Sequence, residues 1–184
     1  MSRSGYVLAG GASLRMGRDT ALLDWNGNPL VVHLALMVQQ TAGSVTIVGL
    51  AEKYGRLGFP IVSDRNAGLG PLEGIRCALE HSAADWNLIV ACDMPYLNPE
   101  LLGALLAEAE LRDADCIMPD GQPLCAVYHR RCRPAIEQAL ENGIRKVRQA
   151  LRGLNVGLYE TAEVLCFQNM NRPEDLRGAI GLND

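Results

Sequence analysis

The feature that most restricts how this chain can fold is the apolar run at residues 87–92 (NLIVAC), closed by Asp93. A strand without polar alternation must be covered on both faces, as a central strand of a parallel sheet is. The rest of the chain fits that reading. Strand-like runs at 5–9 (GYVLA), 44–49 (SVTIVG), 59–63 (FPIVS), 114–118 and 124–129 alternate with helix-like segments at 29–42, 71–83, 98–111, 133–142 and 144–152. A last strand is expected at 163–167 and a terminal helix from Arg172 to Ile180. Such alternation implies a mainly parallel sheet with helices on both faces, a three-layer Rossmann-like α/β architecture. The length, 184 residues, suits one domain over 1–184.

Several boundaries have a chemical reason. Pro29 and Pro71 stand at helix starts, where a missing N–H costs nothing. Asn98 can cap the helix that opens at Pro99, and Glu100 suits its positive end. Pro60 restricts the 59–63 strand to its beginning or to an edge position.

In open α/β sheets ligands bind beyond the carboxyl ends of the strands, which selects the loops after residues 9, 63 and 92. The first runs Gly10-Gly11-Ala12-Ser13-Leu14-Arg15-Met16-Gly17-Arg18. Two glycines directly after a strand allow the backbone to approach a ligand, and consecutive N–H groups there form an anion-binding concavity. Arg15 and Arg18 add planar forks suited to phosphate, and Ser13 a further donor. The pattern is neither G-x-G-x-x-G nor G-x-x-x-x-G-K-[ST], so a dinucleotide fingerprint and a Walker loop both lack support. The second loop carries Asp64 and then Gly68-Leu69-Gly70-Pro71-Leu72-Glu73-Gly74 around a helix N-terminus, where an anion or polar edge is welcome. In the third, Asp93 at the end of an apolar strand is costly unless its charge is used. A Mg²⁺ ligand and a turn cap before Pro95 are the two roles open to it, and Asp64 is likewise either a ligand contact or a cap.

The net charge of −4 gives no general nucleic-acid footprint, so cations for an anionic substrate must be local. The longest apolar stretch, Leu30 to Val38, is far short of the ~20 residues that span a bilayer, and the N-terminal MSRSGYVLAGG lacks a signal-length apolar run. A cytoplasmic protein is expected, with neither membrane nor nucleic acid among its partners. The six cysteines, Cys77, Cys92, Cys116, Cys125, Cys132 and Cys166, form no C-x-x-C pair and read as buried reduced thiols. His33, His81 and His129 are isolated from one another and do not read as catalytic, and Trp25 and Trp86 are too far apart to form a stacking platform.

The string LAGGASLRMGRDTALLDWNGNPLV resembles the N-terminal signature of molybdenum cofactor guanylyltransferases and their pyrophosphorylase relatives. The strings around GPLEG, CDMPYL, PLCAVY, GIRKV and NMNRPEDL resemble later segments of that family, so the likeness runs from about residue 5 to 177. It implies a nucleotidyltransferase fold and an enzyme that transfers GMP from GTP to molybdopterin with loss of pyrophosphate, using Mg²⁺. By the same resemblance Leu8, Ala9, Gly10, Gly11, Thr20, Asp64, Gly70, Pro71, Leu72 and Asp93 bind the nucleotide, Arg15 and Asp93 are catalytic, and Asp93 holds the metal. Arg145, Lys146, Asn169 and Asn171 are implied on the acceptor side; the basic residues read equally as a solvated face, and Asn171 as a helix cap. Other proteins of molybdenum cofactor biosynthesis, or its targets, are the implied protein partners. The chain departs from the family pattern twice. Thr20 stands where a phosphate-contacting lysine follows the aspartate, and Gly49-Leu50-Ala51-Glu52 has no asparagine after the second strand. LAGG and GPLEG favour GTP over CTP. Cytidylyl transfer on the same fold and a degenerate nucleotide-binding homologue are the rival expectations.

Overall fold

The computed structural model describes residues 1–10, 19–63 and 69–170. In chain order they form β1 (Arg3–Leu8), β2 (Asp24–Trp25), β3 (Asn28–Pro29), α1 (Leu30–Ala42), β4 (Thr46–Val48), α2 (Ala51–Tyr54), β5 (Ile61–Val62), α3 (Pro71–His81), β6 (Trp86–Ala91), α4 (Pro99–Leu111), β7 (Cys116–Pro119), β8 (Cys125–His129), α5 (Arg133–Glu141), α6 (Val147–Ala150) and β9 (Val156–Tyr159). Seven of the strands make one sheet in the order β5-β4-β1-β6-β8-β7-β9. The first four are mutually parallel; β8 is antiparallel to both β6 and β7, and β9 returns parallel to β7. The mainly parallel, three-layer α/β expectation therefore holds, with β8 as the reversed strand.

Alternation along each strand sends side chains to two cores. Val7, Ile47, Leu88, Val90 and Val127 meet α1 and α4 on one face. Tyr6, Leu8, Val48, Ile89 and Tyr128 meet α3, α5 and α6 on the other. Every residue of β6 is buried, as its lack of polar alternation requires. Asn98 caps α4 by accepting from the Leu101 N–H at 2.8 Å, and Pro99 and Pro71 sit in first turns. Pro60 lies just before β5, which is the edge strand, and its carbonyl accepts from the Ile47 N–H at 2.9 Å.

Two expectations need correction. Residues Val164–Phe167 are a short 3-10 helix, not a strand. Val164 and Leu165 are 72% and 78% exposed, so this apolar stretch has no sheet to join. The strand that does close the sheet is β9, which the sequence reading lacked. The helix expected over 144–152 is reduced to one turn, α6. The terminal helix expected from Arg172 lies outside the described residues. A further small element is the β2–β3 hairpin, whose turn holds Asn26 (φ 53°) and Gly27 (φ 85°), both left-handed as a type I′ turn demands. All six cysteines are buried and none forms a disulfide. Among the described residues no helix is long and apolar enough to cross a membrane.

Candidate functional site

The parallel half of the sheet ends level along one edge. Leu8 is in register with Ala91, the Cys92 N–H donates to the Leu8 carbonyl at 3.1 Å, the Ala9 N–H to Val48 at 2.8 Å and the Gly49 N–H to Val62 at 2.9 Å. Gly10, Gly49, Ser63 and Asp93 therefore leave the sheet side by side. Gly49 has to be glycine here, because a Cβ would stand 2.2 Å from the Ala9 carbonyl oxygen and 2.7 Å from the Tyr54 ring. The start of α3 reaches the same edge: Gly70 takes φ 85° before Pro71, and Leu72 inserts into the core beside Leu8 and Val48.

Asp93 stands at the end of the buried strand. Its Oδ1 is buried and has no hydrogen-bond partner among the described residues. Burial raises its carboxyl above the usual carboxylate range, with its own backbone amide opposing. The loop that carries it is held from several sides. Its carbonyl accepts from the Met170 N–H at 2.7 Å, which brings the C-terminal segment, and exposed Asn169 with it, to the loop. Trp25 of the hairpin packs edge-on against Tyr96 (centroids 5.4 Å), and His33 of α1 reaches the Pro95 backbone. His33 and Trp25 are thus supports for the Asp93 loop.

Cys92 links the first and third loops. Burial pushes its thiol up to about 12; the charges of Asp93 and Asp19 add to the rise, and the Gly10 backbone opposes it. The charges of Asp93 and Asp19 and the Gly10 backbone thus all act on this one thiol. Asp19 is fully engaged where Asp93 is not. It caps a short 3-10 helix over Thr20–Leu22 by accepting from the Ala21 N–H at 3.2 Å, and its Oδ2 accepts from the Tyr54 hydroxyl at 2.8 Å and Lys53 Nζ at 2.9 Å. The Tyr54 hydroxyl is raised above the usual phenol range, first by burial and then by Asp19. Sequence reading missed this cluster, because Lys53 and Tyr54 lie 34 and 35 residues from Asp19.

Of the expected nucleotide-site residues, Leu8, Ala9, Gly10, Thr20, Gly70, Pro71, Leu72 and Asp93 lie along this edge or at the helix start beside it. The side chains of Leu8, Ala9, Leu72 and Thr20 are buried, so Leu8, Ala9 and Leu72 can offer a ligand only backbone groups. Gly11, Arg15, Asp64 and Asn171 lie outside the described residues. Arg145 and Lys146 follow α5, which starts beside the far end of α3 (Arg133–Glu80, 3.9 Å) and runs back toward the site edge. One nitrogen of Arg145 donates to the carbonyls of Leu140 and Ile144 at 2.9 and 3.0 Å, capping α5, and Lys146 is exposed.

Among the described residues no three His, Cys, Asp or Glu side chains converge as a metal cluster. A lone buried carboxylate oxygen without a partner fits a different donor set, that of Mg²⁺ held by one or two carboxylates and substrate phosphates.

A family model described as the MobA-like NTP transferase domain matches residues 5–156. The chain belongs to the MobA-like NTP transferase family. It is 36% identical to a probable molybdenum cofactor guanylyltransferase of Pelotomaculum thermopropionicum, with 96% of this chain and 91% of the relative covered. To the molybdenum cofactor guanylyltransferase of Pseudomonas putida it is 34% identical, covering 94% of each chain. Among solved structures it superposes on molybdopterin-guanine dinucleotide biosynthesis protein A of Archaeoglobus fulgidus with a TM-score of 0.81 at 28% identity, covering 96% of both chains. A cytidylyltransferase of Thermus thermophilus shares the fold at 17% identity and a TM-score of 0.73. The MobA-like match ends where β9 begins, so the 3-10 helix and the Met170 clamp on Asp93 lie beyond it.

Proposed function

We propose that this chain transfers GMP from GTP to molybdopterin, with or without its molybdenum, forming the guanine dinucleotide cofactor and releasing pyrophosphate. The observation that carries the reading is the Asp93 carboxylate oxygen, without a partner among the described residues, in the loop that leaves the carboxyl edge of the sheet next to Gly10, in a chain of this family. The names of the relatives supply the substrates.

In this reading the acceptor's phosphate oxygen forms a bond to the α-phosphorus of GTP while the bond from that phosphorus to the bridging oxygen breaks, and pyrophosphate leaves. The nucleophile is already anionic at neutral pH, so no side chain need take a proton. The protein's work is positioning and charge stabilisation. Backbone groups of Leu8, Ala9, Gly10 and Gly11 line the triphosphate, with Arg15 holding its oxygens. Thr20 borders the phosphates, and Asp64, Gly70, Pro71 and Leu72 frame the nucleoside. Asp93 would hold Mg²⁺, which when bound offsets charge on the phosphates. Lys146, with Arg145, Asn169 and Asn171, receives the acceptor. The same proposal makes residues 1–184 one nucleotidyltransferase domain working in the cytoplasm alongside other proteins of the cofactor's biosynthesis or its targets.

Pyrophosphate release with molybdopterin as acceptor, measured across GTP, CTP and ATP, tests it. Release with GTP well above the others is expected. A preference for CTP would replace guanylyl by cytidylyl transfer, and tight GTP binding without any release would make the chain a nucleotide-binding homologue.

A further inference from the structure

Position 20 carries no charge in this chain, and Thr20 is 8% exposed. The neighbouring carboxylate nevertheless holds a cation, brought from elsewhere. Lys53 of α2 donates from Nζ to Asp19 Oδ2 at 2.9 Å. The carboxylate that receives it is itself fixed, by the Tyr54 hydroxyl on the same oxygen and the Ala21 N–H on the other. Tyr54 is buried and next in sequence to Lys53, so one short helix supplies both the anchor and the charge. An ammonium group has three donors, and Asp19 is the one partner of Lys53 among the described residues. The Lys53 side chain stays 31% exposed and that of Asp19 16%, so the ammonium sits at the surface of the edge, not in the core. Tyr54 ties the pair to the edge, because its ring and the Ala9 carbonyl oxygen both crowd Gly49 while its hydroxyl holds Asp19. A lysine held this way acts as a point charge on phosphate oxygens.

We propose that Lys53 is a triphosphate-binding residue of this chain, that Asp19 is its positioning residue, and that the charge is aimed at the β- and γ-phosphates. The inference rests on the nucleotidyl-transfer reading above. A nucleoside monophosphate lacks the groups that Lys53 would touch, so the residue should separate GTP from GMP in affinity.

The test is calorimetric titration of the full chain, in Mg²⁺, with GTP and with GMP. Lys53→Met should weaken GTP by about tenfold or more, as loss of one charge-assisted contact does, and leave GMP within about twofold. Lys53→Arg, which keeps the ion pair with Asp19, should retain most of the GTP affinity and guards against a folding defect in the first variant. Thr20→Lys in the Lys53→Met background should recover much of the loss, because it returns a cation to the neighbouring position. Unchanged GTP affinity in Lys53→Met overturns the proposal. So does an equal loss of GTP and GMP, which would make Lys53 only a brace for Asp19. The same titrations with CTP and CMP separate this outcome from the failure of the guanylyl reading. A chain that prefers CTP ends that reading, while its triphosphate-to-monophosphate ratio with and without Lys53 still decides the role of the lysine.

Discussion

The charges of two carboxylates act on the same buried Cys92 thiol at the carboxyl edge of the sheet, and their surroundings are opposite. Asp19 accepts from a backbone amide, a tyrosine hydroxyl and a lysine ammonium. Asp93 has one oxygen shut away from water and from every described partner. Both are products of the same topology, since both loops leave parallel strands at one edge. The difference is in what the chain supplies around them. At Asp19 the short helix after β4 closes over the carboxylate and satisfies it. At Asp93 the support goes to the backbone, through Met170 and His33, and to Tyr96, through Trp25, leaving Oδ1 without a partner among the described residues. A satisfied carboxylate stabilises the fold, whereas an unsatisfied buried one is kept at a cost and points to a ligand. Substitutions can break that contrast.

The largest expected effect is on turnover. Asp93→Ala removes the carboxylate that would hold the metal and should lower pyrophosphate release by about a thousandfold or more, in line with losses of charge stabilisation at such centres. Full activity in that variant would remove Asp93 from the site. Next comes the backbone that brings the two regions together. Gly49→Ala places a Cβ 2.2 Å from the Ala9 carbonyl oxygen, and neither strand can yield without shifting the first loop. Overpacking of this kind costs about 1–3 kcal/mol, and the full upper part of that range is expected in urea unfolding. A loss too small to measure would mean that the edge is looser than the register implies.

Tyr54→Phe tests the satisfied carboxylate. It deletes one 2.8 Å hydrogen bond to a charged acceptor while keeping the ring that packs against Gly49. Bonds to charged groups contribute about 1.5–3 kcal/mol, and the lower end is expected because Asp19 keeps two other donors and is partly exposed. Equilibrium denaturation measures it. An unchanged unfolding curve would show that Lys53 and the Ala21 N–H hold Asp19 without the tyrosine.

How much of this was legible in the sequence follows from range. β6, α4 and the start of α3 were readable because their causes are local: an unbroken apolar run, an Asn-Pro start, a Pro in the first turn. Asp93 was readable too, since a charge at the end of such a run is conspicuous. β9 was not, because Gly157 interrupts its pattern and its start is pinned by distant partners, the Asn155 N–H on Asp115 and its side-chain amide on the Asp113 carbonyl. The apolar VLCF at 164–167 misled for the converse reason: hydrophobicity without a neighbouring strand does not make a strand. The β2–β3 hairpin carries a local signal, Asn26-Gly27 between Trp25 and Asn28. Nothing local could have joined Lys53 and Tyr54 to Asp19. The family likeness marked position 20 as lacking its lysine, and only tertiary structure places another lysine next to it.

The smallest effect discriminates best, because it predicts a sign. Asp93 is raised above its ordinary range by burial, so the fold favours its protonated form. Its contribution to stability is then greatest at acid pH and is lost as pH rises through the folded-state value. Asp93→Asn is neutral at every pH. It should therefore melt above the wild type at pH 7, by a few degrees, while losing activity, and the gap should close as the pH falls and the wild-type carboxylate takes up its proton. Asp19→Asn, which strips a satisfied anion from Lys53 and Tyr54, should lower the melting temperature at pH 7. Thermal melts of both variants across pH read the two signs directly. If Asp93→Asn were destabilising at neutral pH, Oδ1 would have to be engaged within the protein itself, and the contrast between the two carboxylates, with the ligand inferred from it, would fall.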